Sequence, residues 1–118
     1  MRRTVLLLTA MVLAMTLLAS GVVLAKTISG TDNPETIRGT RNADTIHAGV
    51  GDDIVRALGG NDQIYGEDGM DRLHGGKGKD RIYSGGLFKD VINCGPGRDW
   101  AEVDASDEVV NCERLKHV

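Results

Sequence analysis

Residues 75–82, GGKGKDRI, contain a pattern that decides the fold of this chain. The pattern is G-G-x-G-x-D-x-U, where U is an aliphatic residue. It returns with variations over residues 30–37, 39–46, 48–55, 57–64 and 66–73, and again over residues 84–92 and 94–101. The period is nine residues throughout, apart from one extra residue within 84–92. Because a fixed period of this kind determines the whole architecture, the chain is interpreted first as an array of nonapeptides.

The first 25 residues have the composition of a secretory signal peptide. Arg2 and Arg3 precede an apolar run over residues 5–18, and the small residue Ala25 ends the segment before Lys26. We predict cleavage after Ala25 and secretion of a mature chain that spans residues 26–118. A membrane anchor is the alternative interpretation, although the apolar run is short for a spanning helix.

The mature chain would be acidic and poor in aromatic residues. It keeps 12 of the 14 basic residues and all 17 acidic residues, which gives a net charge of −5. This balance argues against a nucleic-acid partner, and we predict none. Since four aromatic side chains offer little material for a conventional core, we expect a metal or a disulfide to stabilise so small a domain.

Each nonapeptide is predicted to form a short strand followed by a tight turn. Side chains alternate between the two faces of a strand, so the aspartate, the U residue and a small residue two positions after U share the inward face. The U positions are Ile28, Ile37, Ile46, Val55, Ile64, Leu73, Ile82, Ile92, Ala101 and Val110. Two units make one coil of about 18 residues. Stacked coils would form two parallel sheets around an aliphatic column.

Acidic residues occupy the aspartate position of every unit. They are Glu35, Asp44, Asp53, Asp62, Asp71, Asp80, Asp90, Asp99 and Glu108. In stacked coils these carboxylates would recur about every 4.8 Å along each edge and repel one another. No lysine or arginine occupies a matching inward position, so a bound cation must offset the repulsion. Calcium fits best, because it accepts about six to eight oxygen ligands in a flexible geometry, whereas magnesium requires a strict octahedron.

The repeated motif resembles the RTX, or hemolysin-type, calcium-binding nonapeptide. Residues 75–82 match it fully, and residues 48–55, 57–64, 66–73 and 94–101 match with one or two departures. The resemblance covers roughly residues 28–115. It implies an all-β fold, a right-handed parallel β-roll with two sheets, in which calcium binds between successive turns at both edges. The alternative is a glycine-rich array whose aspartates are merely solvated.

The resemblance also implies a set of calcium ligands. The aspartates that carry over are Asp44, Asp53, Asp62, Asp71, Asp80, Asp90 and Asp99. The turn backbone would contribute at Gly49, Gly51, Gly60, Gly69, Gly76, Gly78 and Gly97. The match is weaker at Asp44 and at Asp90, since the extra residue near positions 86–89 is expected to bulge the turn before Asp90.

The terminal units depart from the motif. Residues 28–46 and 101–118 have lost most of its glycines and are predicted to be degenerate caps, because a repeat array needs atypical ends to close its core. Asn33 and Asn42 replace the third glycine of the first two units. Asparagine tolerates positive φ better than most residues, so these replacements indicate a real conformational demand in the turn.

Cys94 and Cys112 are separated by one full coil of the repeat, and both occupy the small inward position. In a stacked roll they would lie one above the other, within the Cα separation that a disulfide requires. Export would place them in an oxidising compartment. We therefore predict a disulfide that closes the C-terminal end, with two buried thiols as the alternative.

These features predict a secreted calcium-binding protein whose turns fold with the metal. The alternative function is an extracellular surface or matrix interaction module that uses the calcium roll as a scaffold, with Tyr65 and Tyr83 stacked on one outer face as its contact patch. No catalytic or phosphate-loop motif is present in the sequence, so we predict no enzymatic activity. Calcium is the one cofactor that the pattern indicates. No membrane span is predicted for the mature form, and the sequence identifies no protein or cell-surface partner.

Overall fold

The computed structural model of the protein describes residues 24–118. The predicted signal peptide lies outside this range except for Leu24 and Ala25. The described residues form eleven strands and no helix, so none of their segments is a helix able to cross a membrane. The strands are β1 (Lys26–Ser29), β2 (Thr36–Arg38), β3 (Asp44–His47), β4 (Ile54–Arg56), β5 (Gln63–Tyr65), β6 (Arg72–His74), β7 (Arg81–Tyr83), β8 (Val91–Asn93), β9 (Trp100–Val103), β10 (Glu108–Val110) and β11 (Arg114–His117).

Successive strands alternate between two parallel sheets. Sheet A has the order β1-β3-β5-β7-β9-β11, and sheet B has the order β2-β4-β6-β8-β10. Because each strand pairs with the strand two further along the chain, every coil contains one strand of each sheet and two turns. The chain is therefore a β-solenoid of about five coils, as the nonapeptide period predicts.

The core is a single column of aliphatic side chains between the sheets. Seven predicted U residues are completely buried in it: Ile46, Val55, Ile64, Leu73, Ile82, Ile92 and Ala101. In most units the residue two positions after U is alanine, serine or glycine, because a backbone carbonyl of the next coil passes directly over that position. A Cβ added at Gly66, for example, would lie 2.5 Å from the carbonyl oxygen of Ser84. The alternation of large and small inward residues thus keeps the sheets close together.

The coil length is constant from β1 to β7, at 18 residues, and then changes. The extra residue of the 84–92 unit lengthens one coil to 19 residues. Gly85 and Gly86 both adopt positive φ there, and Leu87 and Phe88 project into solvent. The turn bulges as predicted, but the register is restored before Asp90, which is fully buried.

In the C-terminal cap the observed register differs from the predicted one. The coil from β8 to β10 has 17 residues, so Val109 pairs with Ile92 and packs against the core. Val110, the predicted core residue, is 52% exposed. This single-residue deletion could not be read from the sequence because VDASDEVV contains adjacent valines and no glycine that would mark the turn.

The predicted disulfide joins Cys94 and Cys112, with a Cα–Cα distance of 5.1 Å. The shortened coil does not separate the two cysteines, because Asn111 adopts positive φ and adds the missing residue after β10. Its side-chain amide also donates a hydrogen bond to Asn93 Oδ1, at 3.0 Å. The final strand, β11, therefore follows a covalently closed coil.

Aromatic rings stack along the outer face of sheet A. The predicted stack of Tyr65 on Tyr83 is present, with ring centroids 4.7 Å apart and planes within 3°. His47 extends the stack on the other side of Tyr65, at 4.6 Å. Trp100 meets Tyr83 edge-on, at 5.2 Å and 66°. Neighbouring parallel strands place identical positions about 4.8 Å apart, which is the separation that stacked rings prefer.

Candidate metal centre

The acidic residues of the repeat form two rows, one at each edge of the solenoid. In each row the backbone N–H of one acidic residue donates a hydrogen bond to the carboxylate of the next coil. The Asp53 N–H donates to Asp71 Oδ1 at 2.9 Å, and the Asp62 N–H donates to Asp80 Oδ1 at 2.9 Å. One row contains Glu35, Asp53, Asp71, Asp90 and Asp107, and the other contains Asp44, Asp62, Asp80 and Asp99.

The first row differs from the predicted row at its end. Glu108 was expected above Asp90, but the 17-residue coil places Asp107 there instead, and the Asp90 N–H donates to Asp107 Oδ1 at 2.9 Å. Glu108 points into solvent and pairs with Lys89. A constant nine-residue period does not predict Asp107 at this position, because the turn before it is one residue short and contains no glycine that would mark the change.

Six carboxylates each leave one oxygen without a partner. They belong to Asp53, Asp62, Asp71, Asp80, Asp90 and Asp99, whose Oδ2 atoms are buried and make no hydrogen bond to the described residues. An ionised oxygen that is removed from water without a partner is strongly destabilising. Each of these positions therefore favours either a proton or a metal ion on the free oxygen.

Burial raises the pKa of all six carboxyl groups. Removal from water is the largest cause in each case, and the hydrogen bond from the preceding backbone N–H offsets it only in part. The pKa rises to about 6 for Asp62, about 7 for Asp71 and Asp90, and about 8 for Asp80. Neighbouring aspartates of the same row add to the rise for Asp62, Asp71, Asp80 and Asp90.

Asp44 and Glu35 lie in the same rows but are satisfied by their own turns. Asp44 Oδ2 accepts hydrogen bonds from the Thr40 N–H at 2.6 Å and from the Thr40 hydroxyl at 3.0 Å. Glu35 Oε1 accepts a hydrogen bond from the Thr31 N–H. The structure thus separates Asp44 from the six carboxylates that need an external partner.

The predicted turn glycines have the conformation that a carbonyl-lined turn requires. All seven adopt positive φ, between 82° and 125°. A Cβ added at Gly69 or Gly78 would collide with the carbonyl oxygen of the glycine one coil earlier, so no larger residue fits. None of the seven glycine carbonyls accepts a hydrogen bond from the described backbone. These oxygens remain available as ligands.

Within residues 24–118 no group of three or more histidine, cysteine, aspartate or glutamate side chains surrounds a common point. The donor set of each turn is instead one or two carboxylates together with backbone carbonyls. Such an all-oxygen set suits a hard cation, since calcium readily takes carbonyl oxygens beside carboxylates. The orphaned carboxylate oxygens and the free carbonyls therefore fit calcium.

The family described as RTX calcium-binding nonapeptide repeat (4 copies) matches residues 29–64 and 65–86. No curated protein and no solved structure is significantly similar to the chain. The matched family is a structural repeat that binds Ca²⁺ rather than a catalytic domain. Residues 29–86 therefore contain RTX calcium-binding nonapeptide repeats.

Proposed function

We propose that this protein is a secreted calcium-binding protein whose turns bind Ca²⁺ between successive coils and fold together with it. The observation that carries the proposal is the set of six buried aspartate oxygens without a partner. Asp53, Asp62, Asp71, Asp80, Asp90 and Asp99 are the proposed carboxylate ligands. Asp44 is a weaker ligand, because Thr40 already satisfies its carboxylate.

Coupling between metal binding and folding follows from the placement of these carboxylates. The two rows exist only when the coils are stacked, because each carboxylate comes from a different coil. The unfolded chain has no comparable site, so the free energy of calcium binding contributes to folding. The narrow aliphatic column provides little stabilisation of its own to oppose the repulsion within the rows.

Secretion is supported by three observations that are independent of the metal. RTX repeat proteins are typically secreted. The first 25 residues have a signal-peptide pattern, and β1 begins at Lys26, the first residue after the proposed cleavage point. The Cys94–Cys112 disulfide requires an oxidising compartment to persist.

The second candidate function is a surface interaction module built on the same scaffold. The stack of His47, Tyr65 and Tyr83 favours a stiff, flat outer face on sheet A. However, each ring covers the face of the next, so mainly ring edges remain for a partner. The stack is better suited to holding the coils in register than to serving as the contact patch itself.

The first experiment is a calcium titration of the oxidised, metal-depleted protein, followed by far-ultraviolet circular dichroism and calorimetry. We expect β signal to increase with calcium and heat to be released over the same concentration range. Magnesium at equal concentration is the matched control and should not reproduce the change. A complete β spectrum in metal-free buffer that calcium does not alter, with no binding heat, would refute the proposal.

A further inference from the structure

A cavity of about 840 Å³ opens on sheet A where β7, β9 and β11 begin. It spans three neighbouring strands, which corresponds to about 10 Å across the sheet. Four cationic side chains line it together with two aromatic rings: Lys79, Arg81, Arg98, Arg114, Tyr83 and Trp100. We refer to this cavity, with these six residues, as the basic groove.

Trp100 lies at the centre of the basic groove. Its strand neighbours in register are Arg81 on one side and Arg114 on the other. Tyr83 contacts the indole edge-on, and Trp100 remains half-buried. A partly exposed indole between two guanidinium groups offers a flat apolar surface beside positive charge.

The four cations of the basic groove make no ion pair within residues 24–118. The ion pairs found there are His47–Glu67, Lys89–Glu108 and Lys116–Glu102, all outside the groove. This concentration of unpaired cations occurs in a mature chain whose net charge is −5, so it is a local feature and not a consequence of overall composition.

A ligand that matches the basic groove needs several anionic groups and a ring with an apolar face. Planar guanidinium groups pair well with carboxylate or sulfate oxygens. The indole of Trp100 can pack against the C–H face of a sugar ring. The groove is open and crosses three strands, which suits a short polymer better than a compact anion. We propose that the basic groove binds an acidic oligosaccharide.

Calcium should strengthen this binding, and that part of the inference rests on the proposed function. Asp80 and Asp99 also line the cavity, and both are proposed calcium ligands. When calcium neutralises them, Glu113 is the remaining carboxylate that lines the groove. The attraction for an anion therefore increases when the adjacent turns are loaded.

The test uses the fluorescence of Trp100, the only tryptophan in the sequence. The calcium-loaded protein is titrated with a heparin-derived hexasaccharide, and we expect a saturable change that weakens at high salt. The double variant Arg98→Ala/Arg114→Ala should bind about tenfold more weakly, since two exposed charge contacts are lost. Both arginines are exposed, so the variant should keep the β spectrum.

The matched control is Arg38→Ala, which removes an exposed, unpaired arginine from β2 on the opposite sheet. It should leave the affinity for the hexasaccharide unchanged. An equal loss of affinity in Arg38→Ala would overturn the proposal, because attraction would then not depend on the groove. Absence of any fluorescence change, in protein with a calcium-loaded β spectrum, would overturn it and leave the calcium function intact.

Two further titrations test the link to calcium and the class of ligand. Hexasaccharide binding that Arg98→Ala/Arg114→Ala weakens, but that is equally tight without calcium, would support the groove and contradict its link to the metal. A single-stranded oligonucleotide of similar charge is the competing ligand class. If it bound more tightly than the hexasaccharide, the assignment to an acidic oligosaccharide would be wrong.

Discussion

The N-terminal turns and the central turns of this solenoid contain the same acidic row but treat its carboxylates differently. In the turns that precede β2 and β3, Glu35 and Asp44 accept hydrogen bonds from Thr31 and Thr40 of their own turn. In the central turns, from Asp53 to Asp99, one oxygen of each carboxylate has no partner. The carboxylates of the N-terminal turns thus have hydrogen-bond partners within the chain, whereas those of the central turns need a proton or a metal ion.

The difference originates at the residue that directly follows the small inward residue of each unit, which is the second residue of the turn. In the six central turns this residue adopts positive φ, even at Leu58 and Glu67, where it is not glycine. In the first two turns it is a threonine without positive φ. A β-branched residue strongly resists the left-handed region, so threonine keeps a backbone conformation in which its N–H reaches the carboxylate.

The C-terminal cap follows the same rule with a different residue. Asp104 follows the inward residue Val103, so it is the second residue of the turn before β10, and it does not adopt positive φ. Its N–H donates to Asp107 Oδ2 at 2.8 Å, so this carboxylate is satisfied as well. The comparison therefore indicates that backbone conformation at one turn position decides whether a unit is a cap or a candidate metal site.

The largest expected effect is on pH dependence, because it involves all six central carboxylates together. Their pKa values are raised in the fold above the usual 3.8, to about 8 for Asp80. Protonation removes the charge, whose burial is the larger cost, so the metal-free fold is most stable at acidic pH and loses stability as pH rises from about 4 to about 8. We expect a higher melting temperature at pH 5 than at pH 8 in metal-depleted protein.

Saturating calcium should reverse this order, because the metal binds the ionised carboxylates and competes with protons. Thermal melts followed by circular dichroism at both pH values, with and without calcium, measure the effect. Equal melting temperatures at pH 5 and pH 8 in metal-depleted protein would contradict the interpretation of the orphaned oxygens.

The next largest effect is expected at the C-terminal end, which is closed covalently. Replacing both cysteines, Cys94→Ser with Cys112→Ser, removes the closure of an 18-residue loop. We expect a loss of about 3 kcal/mol in the free energy of unfolding. Urea unfolding in calcium measures the loss, and chemical reduction of the unaltered protein is the matched control. No loss in either case would show that the cap holds without its disulfide.

A smaller effect is expected on calcium affinity when the charge of one central carboxylate is removed, and removing the charge of one cap carboxylate should have less effect still. Asp80→Asn keeps an oxygen that can accept the Asp62 N–H but removes the charge. We expect the calcium concentration at half-saturation to rise by about tenfold, because affinity depends on the number of charged ligands. Asp44→Asn should change it by less than about threefold. Equal shifts in calorimetric titrations of the two variants would remove the distinction between the centre and the cap.

The smallest effect converts a cap turn into a central turn. Thr40→Gly removes the hydroxyl bonds to Asp44 and permits a positive φ that would turn the backbone N–H away from the carboxylate. We expect additional calcium binding and a loss of about 1 kcal/mol of metal-free stability. Thr40→Ser, which keeps the N–H and the hydroxyl, is the control and should resemble the unaltered protein. If calorimetry shows unchanged stoichiometry for Thr40→Gly, the second turn residue does not decide the type of turn.

Much of the candidate site could be predicted because the repeat is regular. The inward position of Asp53, Asp62 and Asp80 follows from the strand alternation and the period alone. Asp90 was harder to place, since a one-residue bulge can shift a strand or be absorbed in the turn. The structure shows that Gly85 and Gly86 absorb it. Asp107 was missed because the shortened coil before it has no marker in the sequence.

Spacing along a regular coil is enough to predict the period, the parallel sheets and the aliphatic column. The same spacing predicts the Cys94–Cys112 disulfide, which forms in the shortened coil because Asn111 adds the missing residue. The tertiary structure decided which carboxylates have a free oxygen, since that depends on a backbone torsion one turn away and on hydrogen bonds between coils. It also decided the basic groove. Arg81, Trp100 and Arg114 meet there only because 19 residues separate the first pair and 14 the second, instead of the regular 18.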